Sequence, residues 1–425
     1  MSGHVLVLME GLPYPLDPRV RAQVAALREA GFEVTVACPT GHGHDEPDLT
    51  LDGVRVLRFV APPGGRGAFG YLREYAIAFW RLRAIVRAVR RERPVDLALV
   101  CAPPDFLVAL ARPLARRGAK VVFDYREISP ELFEAKFGRR GPAHHALVLA
   151  ERYAFRHADA VTTVSEPCAE LARTRGRADP TRVFLVGNGP DPARVYQVPE
   201  RPELRRGRRH LVLWLGVMST QEGLEHLIEA ADLIVNRHRR GDVHFALVGP
   251  GDVREALERD IAARGLADHV ELTGLVDDEL VRAYMCTADL CVAVDEPNAM
   301  NDRAAMRKVL EYLALGRAVV QFPLAEMRRL CGDATAYARS GDAADLASRI
   351  CALLDDDERR RELGEAARRR VWSGQMWPQQ APFLLRAMAA AASTGVPESQ
   401  IADSPVCQRM DKTEMRSTVG ASSSR

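Results

Sequence analysis

The densest set of groups able to do chemistry lies in one stretch, Asp295 to Gly316, DEPNAMNDRAAMRKVLEYLALG. It follows a strand-like run, LCVAV, and the spacing predicts a helix opening near Asp302, whose carboxylate is a good N-terminal cap. A helix start at the carboxyl end of a strand presents free N–H groups, a ready site for an anion such as a diphosphate. On a helical wheel Met306, Leu310 and Leu313 form one apolar face, while Lys308 and Glu311 fall on another. Lys308 is then a candidate partner for a phosphate, and Glu311 a candidate acceptor of hydrogen bonds from sugar hydroxyls. A solvated helix face carrying one weak ion pair has the same spacing.

Glycine-bearing turns follow other strand-like runs. Gly216 opens GVMSTQEG after LVLWLG, Gly249 and Gly251 form GPGD after HFALVG, and Gly274 sits in LTGLVDDE. Such glycines let backbone N–H groups approach a phosphate, or simply turn the chain. There is no G-x-G-x-x-G after the first strand and no G-x-x-x-x-G-K-[ST], which disfavours standard dinucleotide and P-loop readings. Earlier in the chain the strand-end loops carry Glu10-Gly11-Leu12, Asp124-Tyr125-Arg126-Glu127 and Ser165-Glu166. Glu127 and Glu131 offer carboxylates for a polyol or for acid/base work, or belong to a capped surface helix. His144 and His145 lack a third partner at metal spacing, so they are expected on the surface and no metal is expected. The segment 78–94 places Phe79, Leu82, Val86 and Val89 near one face, with Arg81, Arg83, Arg87, Arg90 and Arg91 elsewhere. It suits a core-packed helix with a solvated arginine face, or one resting on an anionic membrane.

The elements that must position these groups alternate along 425 residues, long enough for two to three domains. Short apolar runs at 4–9, 33–39, 54–59, 96–101, 120–125, 160–165 and 183–188 are separated by helix-length segments. Asp17 is placed to cap the first helix and Gly31 to stop it. Residues 189–209, rich in Pro and Arg, read as a linker. A second series follows at 210–216, 244–249, 269–274, 290–294 and 318–322. The expected fold class is α/β, with two doubly wound Rossmann-like domains facing a central cleft. The domains span 1–188 and 210–378, a helix at 379–393 packs back across the junction, and 394–425 form a disordered tail. Hydrophobic residues at 47% and a formal charge of +2 fit a globular protein with no general pull toward nucleic acid. No run reaches the roughly 18 to 20 apolar residues that span a bilayer. The opening MSGHVLVLMEGLPYP reads as a strand and not a signal peptide. The eight cysteines form no C-x-x-C pair, which fits a reducing cytoplasm.

Taken together, these segments resemble the retaining glycosyltransferases of the GT-B fold, family 4. The resemblance runs from about residue 4 to 390. It is carried by DPRVRAQVAALREAGFEVTVACP, DYREISPE, LVGNGPD, GVMSTQEGLEHLIEAA, FALVGPGD, HVELTGLVDDEL and NDRAAMRKVLEYLALGRAVV. The last of these and DYREISPE look most like the subgroup that builds O-antigens, capsules and related amino-sugar glycans. The resemblance implies a nucleotide-sugar donor, UDP-linked, held mainly by the second domain, and an acceptor held mainly by the first, with no cofactor. Glu311 matches the carboxylate that binds the donor ribose. Ala304, Ala305 and Met306 would face the sugar and phosphates, Gly274 and Leu275 the base, and Gly11 the diphosphate. Arg126 and Glu127 match an Arg-acid pair of the subgroup. The sequence departs from the family pattern at Arg303, where many relatives have a glutamate, with Asp302 beside it as the substitute. Met218 and Glu222 stand where an Arg and a Lys often follow the Gly216 strand, so Lys308 and Arg126 become the candidate cations. The implied activity is sugar transfer with retention to an unknown acceptor, either lipid-linked and reached by peripheral membrane contact or a soluble natural product. A nucleotide-sugar epimerase of the same fold and a non-catalytic nucleotide-sugar-binding subunit are the alternatives.

Overall fold

The computed structural model describes residues 3–61, 67–138 and 140–392. The tail expected at 394–425 lies outside the described residues. The chain divides into two compact units, residues 1–187 with 380 onward, and residues 188–379.

The first unit is built on an eight-stranded sheet: β1 His4–Leu8, β2 Glu33–Pro39, β3 Asp48–Leu51, β4 Val54–Phe59, β5 Leu97–Cys101, β6 Lys120–Tyr125, β7 Ala160–Thr163 and β8 Val183–Leu185. The order is β3-β4-β2-β1-β5-β6-β7-β8. All pairs are parallel except β3 with β4. β1 and β5 are buried along their whole length, as strands covered by helices on both faces must be, which is why they read as unbroken apolar runs. The helix Gly67–Glu92 lays Leu82, Val86 and Val89 into the core formed with Leu6, Leu8 and Phe123. The apolar face of 78–94 is therefore used inside this unit. On its other side Trp80 is 61% exposed, with the Arg83 guanidinium 4.8 Å from its ring centroid.

The second unit holds a six-stranded sheet: β9 His210–Leu215, β10 Val243–Val248, β11 Val270–Gly274, β12 Leu290–Ala293, β13 Val319–Gln321 and β14 Ala336–Tyr337. Its order is β11-β10-β9-β12-β13-β14, and every pair is parallel. Apolar clusters cover both faces, one around Trp214 and Phe245, the other around Leu213, Tyr312 and Leu313. Residues 189–209 are a strap fixed to this unit. Val195 is buried, Gln197 donates to Leu315 O at 2.7 Å, the Arg201 N–H donates to Thr287 at 2.9 Å, and Arg205 pairs with Asp289. The arginines that suggested a solvated linker are the groups that fasten it. The last helix, Trp377–Ala392, starts in the second unit, where the Trp377 N–H donates to Pro190 O. From Gln380 it belongs to the first, where the Gln380 side chain accepts from the Gly187 N–H at 2.9 Å.

Each sheet reverses its winding once. In the first unit the chain turns outward in opposite directions from β1 and β5, and in the second from β9 and β12. Ligands of open α/β sheets bind outside the carboxyl ends of the strands at such a reversal.

Candidate functional site

At the first reversal the loops after β1, β5 and β6 come together around Arg126. Its Nη1 donates to Asp17 Oδ2 at 2.6 Å and its Nε to Ala102 O at 2.7 Å. Asp17 divides its carboxylate. Oδ1 accepts from the Arg19 and Val20 N–H groups, so it caps the helix Pro18–Glu29 as its spacing predicts, while Oδ2 holds Arg126. Beneath lies Asp124, fully buried, bound by two nitrogens of Arg19 at 2.7 and 3.0 Å, by Gln23 at 3.0 Å and by Thr162 at 2.7 Å. Burial alone would raise its carboxyl, but Arg19, Arg126 and Thr162 together bring it down to about 2. Burial works against the Arg126 charge, and the carboxylates of Asp17, Asp124 and Glu127 outweigh it, so this guanidinium stays ionised.

Glu127 is half-buried and acts electrostatically on Arg126 and on the buried Asp105. Glu131, the other carboxylate singled out in this segment, is committed elsewhere. It binds Arg175 through both oxygens, at 2.6 and 3.0 Å, in a buried cluster with Glu151 and the Tyr125 hydroxyl. Gly11 is exposed with open space beside it. Its neighbour Glu10 is pushed up to about 8 by burial, with the charge of Glu74 adding to the effect. Sequence reasoning named Glu10 only as a loop residue, since burial of a loop carboxyl leaves no mark in spacing.

The second reversal gathers a lysine and two carboxylates from three elements. Lys308 Nζ lies 2.5 Å from Glu222 Oε2 in the loop after β9, and 3.0 and 2.9 Å from the two Asp295 oxygens just beyond β12. The indole ring of Trp214, on β9, has its centroid 5.0 Å from the same ammonium. The Lys308 side chain is 10% exposed and that of Asp295 only 3%. Burial would strip the lysine of its proton, but Asp295 and Glu222 hold it charged, above the usual lysine value. Glu222 is pushed up to about 7 by burial and by Asp295, against the pull of Lys308.

The helix carrying Lys308 is Arg307–Ala314, and so it starts five residues beyond the expected Asp302. A 3-10 turn occupies Asn301–Arg303, and the Asp302 carboxylate accepts from the Ala325 N–H at 3.0 Å, at the start of another helix. Ala304 leaves that turn extended, the buried Ala305 carbonyl accepts from Asn188, and Met306 stands at the N-cap position with no side-chain cap. An uncapped first turn presents N–H groups at the carboxyl end of the sheet. Glu311 is buried and bound by Arg194 Nη1 at 2.6 Å, with Arg194 Nε 3.1 Å from Asp278. Lys308 and Glu311 thus serve different partners, and Glu311 reaches the strap.

Gly249 and Gly251 sit where the loops leave no room for a side chain. A Cβ on Gly249 would lie 1.8 Å from Gly216 O, and one on Gly251 2.0 Å from Met218 O, because the loops after β9 and β10 touch backbone to backbone. Gly249 also bridges Gly274, which has φ +72°. Beside them Leu275 is 53% exposed and Val217 57%, two apolar side chains standing at the strand ends. Among the described residues no group of three or more His, Cys, Asp or Glu side chains is close enough to hold a metal ion, and no helix is long and apolar enough to cross a membrane.

Two family descriptions match consecutive parts of the chain. Residues 16–189 match the Glycosyl transferase 4-like domain, and residues 209–356 match Glycosyl transferases group 1. The chain belongs to the family 4 glycosyltransferases of the GT-B fold. Among curated proteins this glycosyltransferase is 29% identical to an α-D-kanosaminyltransferase of Streptomyces kanamyceticus, over 51% of its own length and 57% of that enzyme. It is 25% identical to a 2-deoxystreptamine glucosyltransferase of the same organism, over 65% and 73% respectively. Among solved structures, Anabaena Alr3699/HepE in complex with UDP-glucose superposes with a TM-score of 0.68 at 16% identity, covering 91% of this chain and 99% of that one. Each of the two sheets of the transferase is doubly wound, as its strand pattern predicts.

Proposed function

We propose that the protein moves a sugar from a nucleoside diphosphate donor, UDP-linked, to a hydroxyl of its acceptor, with retention at the anomeric carbon, in glycan or glycoconjugate biosynthesis. The observation that carries this reading is the Lys308 cluster at the reversal of a fully parallel sheet in a chain of this family. In this reading Lys308 and the uncapped first turn of its helix take the diphosphate. Leu275 and Val217 give the base an apolar platform, with Ala304 to Met306 along the sugar. Gly216, Gly249 and Gly274 shape the loops that bring backbone N–H groups toward the donor. Glu311 contributes to the ribose only by giving up part of its bond to Arg194. Arg126 and Glu127 attend the acceptor, where held geometry supplies part of the rate, and Gly11 attends the diphosphate. Charge developing on the departing diphosphate is met by a cation and N–H groups already in place.

The name of the second relative, a 2-deoxystreptamine glucosyltransferase, supports an aminocyclitol as the class of acceptor. We place the reaction in the cytoplasm. A lipid-linked acceptor would instead bring the Trp80–Arg83 surface of Gly67–Glu92 against a membrane. The test begins with thermal stabilisation by a panel of nucleotide sugars. Proton NMR of the product formed from the stabilising donor then reads its anomeric configuration. An inverted product refutes retention, and a new sugar nucleotide made without acceptor identifies an epimerase. Binding with neither transfer nor slow hydrolysis leaves a binding subunit.

A further inference from the structure

Lys308 is the ammonium at the second reversal, and it is already saturated. Glu222 and Asp295 bring two carboxylates to one lysine, within 2.5 and 2.9 Å. With both ionised the cluster carries one net negative charge, and an arriving diphosphate would add at least two more. Asp295 is almost wholly buried, two residues beyond the end of β12, so it stays where it is. Glu222 stands in the loop 216–223 and is the more exposed of the two.

We propose that Glu222 is the proton-accepting residue of the donor site, and that a nucleotide sugar binds at Lys308 only as Glu222 becomes neutral. This rests on the reading of Lys308 as the diphosphate's partner. The proton comes from solvent and goes to a Glu222 carboxylate oxygen, and no covalent bond to the ligand forms or breaks. The charged groups acting on Glu222 are Lys308, from the helix Arg307–Ala314, and Asp295, from just beyond β12. Burial and Asp295 already favour the neutral form, so the proton is gained near neutrality at small cost. Lys308 in turn is held charged above the usual lysine value by Asp295 and Glu222, so it does not release its proton near neutrality.

Calorimetry with the full chain and UDP-glucose tests this, since both phosphates of that donor stay ionised near neutral pH. Titrations in buffers of low and high ionisation enthalpy should show uptake of close to one proton at about pH 8. If only the neutral form binds, the apparent Kd is flat below about pH 7 and weakens about tenfold per unit above it, roughly 50-fold from pH 7 to 9. Glu222→Gln should remove both the proton uptake and the slope, binding at high pH as tightly as the wild type does at low pH. Glu222→Ala should do the same if the amide disturbs the loop. A wild-type Kd that ignores pH with no proton uptake overturns the proposal, as does a slope that survives in both variants. Should glucose conjugates of uridine, guanosine, thymidine and adenosine diphosphates all fail to bind at any pH, the donor-site reading itself is wrong and this inference falls with it.

Discussion

Replacing Lys308 by methionine isolates what the charge does, because methionine keeps the unbranched apolar stem against Trp214 and removes only the ammonium. In the wild type that ammonium separates Glu222 from Asp295, touching both within 3.0 Å in a setting only 10% exposed. Removing one partner of a buried ion pair costs about 3–5 kcal/mol when the remaining charge has no escape. Here it has one, since Glu222 is already pushed up to about 7 and can take a proton and share it with Asp295. At about pH 6 the variant should therefore lose only about 1–2 kcal/mol, the worth of charge-assisted hydrogen bonds. Each pH unit above 7 adds up to about 1.4 kcal/mol for holding that proton, reaching the full 3–5 kcal/mol near pH 8.5. Urea unfolding followed by circular dichroism at the two pH values reads the difference. Nucleotide-sugar affinity, measured where the variant is folded, should fall about 10- to 100-fold for one lost charged contact. A destabilisation independent of pH refutes the shared-proton argument. Wild-type donor affinity in a folded variant removes Lys308 from the site.

Gly249→Ala should destabilise the protein by more than about 3 kcal/mol, because the new Cβ would sit 1.8 Å from Gly216 O at a φ of +138°, and backbone cannot yield as a side chain can. A loss below about 1 kcal/mol in the same urea assay would mean that the loops after β9 and β10 part easily. Arg126→Lys keeps the charge but gives up either Asp17 or Ala102 O, since one ammonium cannot reproduce the planar fork that reaches both. It should lower kcat about tenfold with donor affinity unchanged, and unchanged turnover would show that Arg126 only braces the loops.

The architecture was legible because strands covered on both faces carry unbroken apolar runs: β2, β4 and β6 fall at the residues their pattern marks. β3 was missed because it is an exposed edge strand, half-exposed along its length, with no apolar run. Its signal was the turn Asp52-Gly53, both residues at positive φ, which is the pair a two-residue hairpin demands. The helix start slipped from Asp302 to Arg307 for a related reason. A capping residue declares a preference that several nearby N–H groups can satisfy, and Asp302 is taken by Ala325, far along the chain. The strap 189–209 hid in the same way, because an arginine in the sequence looks identical whether water or Glu311 receives it.

Glu222 carries that argument into the chemistry. A glutamate in a loop, where the family pattern suggests a lysine, reads as a missing cation. In the fold the cation has moved to Lys308 on another element, and the glutamate has become its counter-charge. The first reversal is wired alike, with Asp17 meeting Arg126 across helix cap and strand end. In both, a carboxylate fixes the head group of the cation, so little side-chain freedom is left to lose when an anion arrives. The cost of that order is electrostatic, because the cation's field is partly spent before any ligand comes. At Arg126 the spending is permanent, since Asp17 also caps a helix and cannot leave. At Lys308 it is reversible, since Glu222 needs only a proton to release the charge it masks.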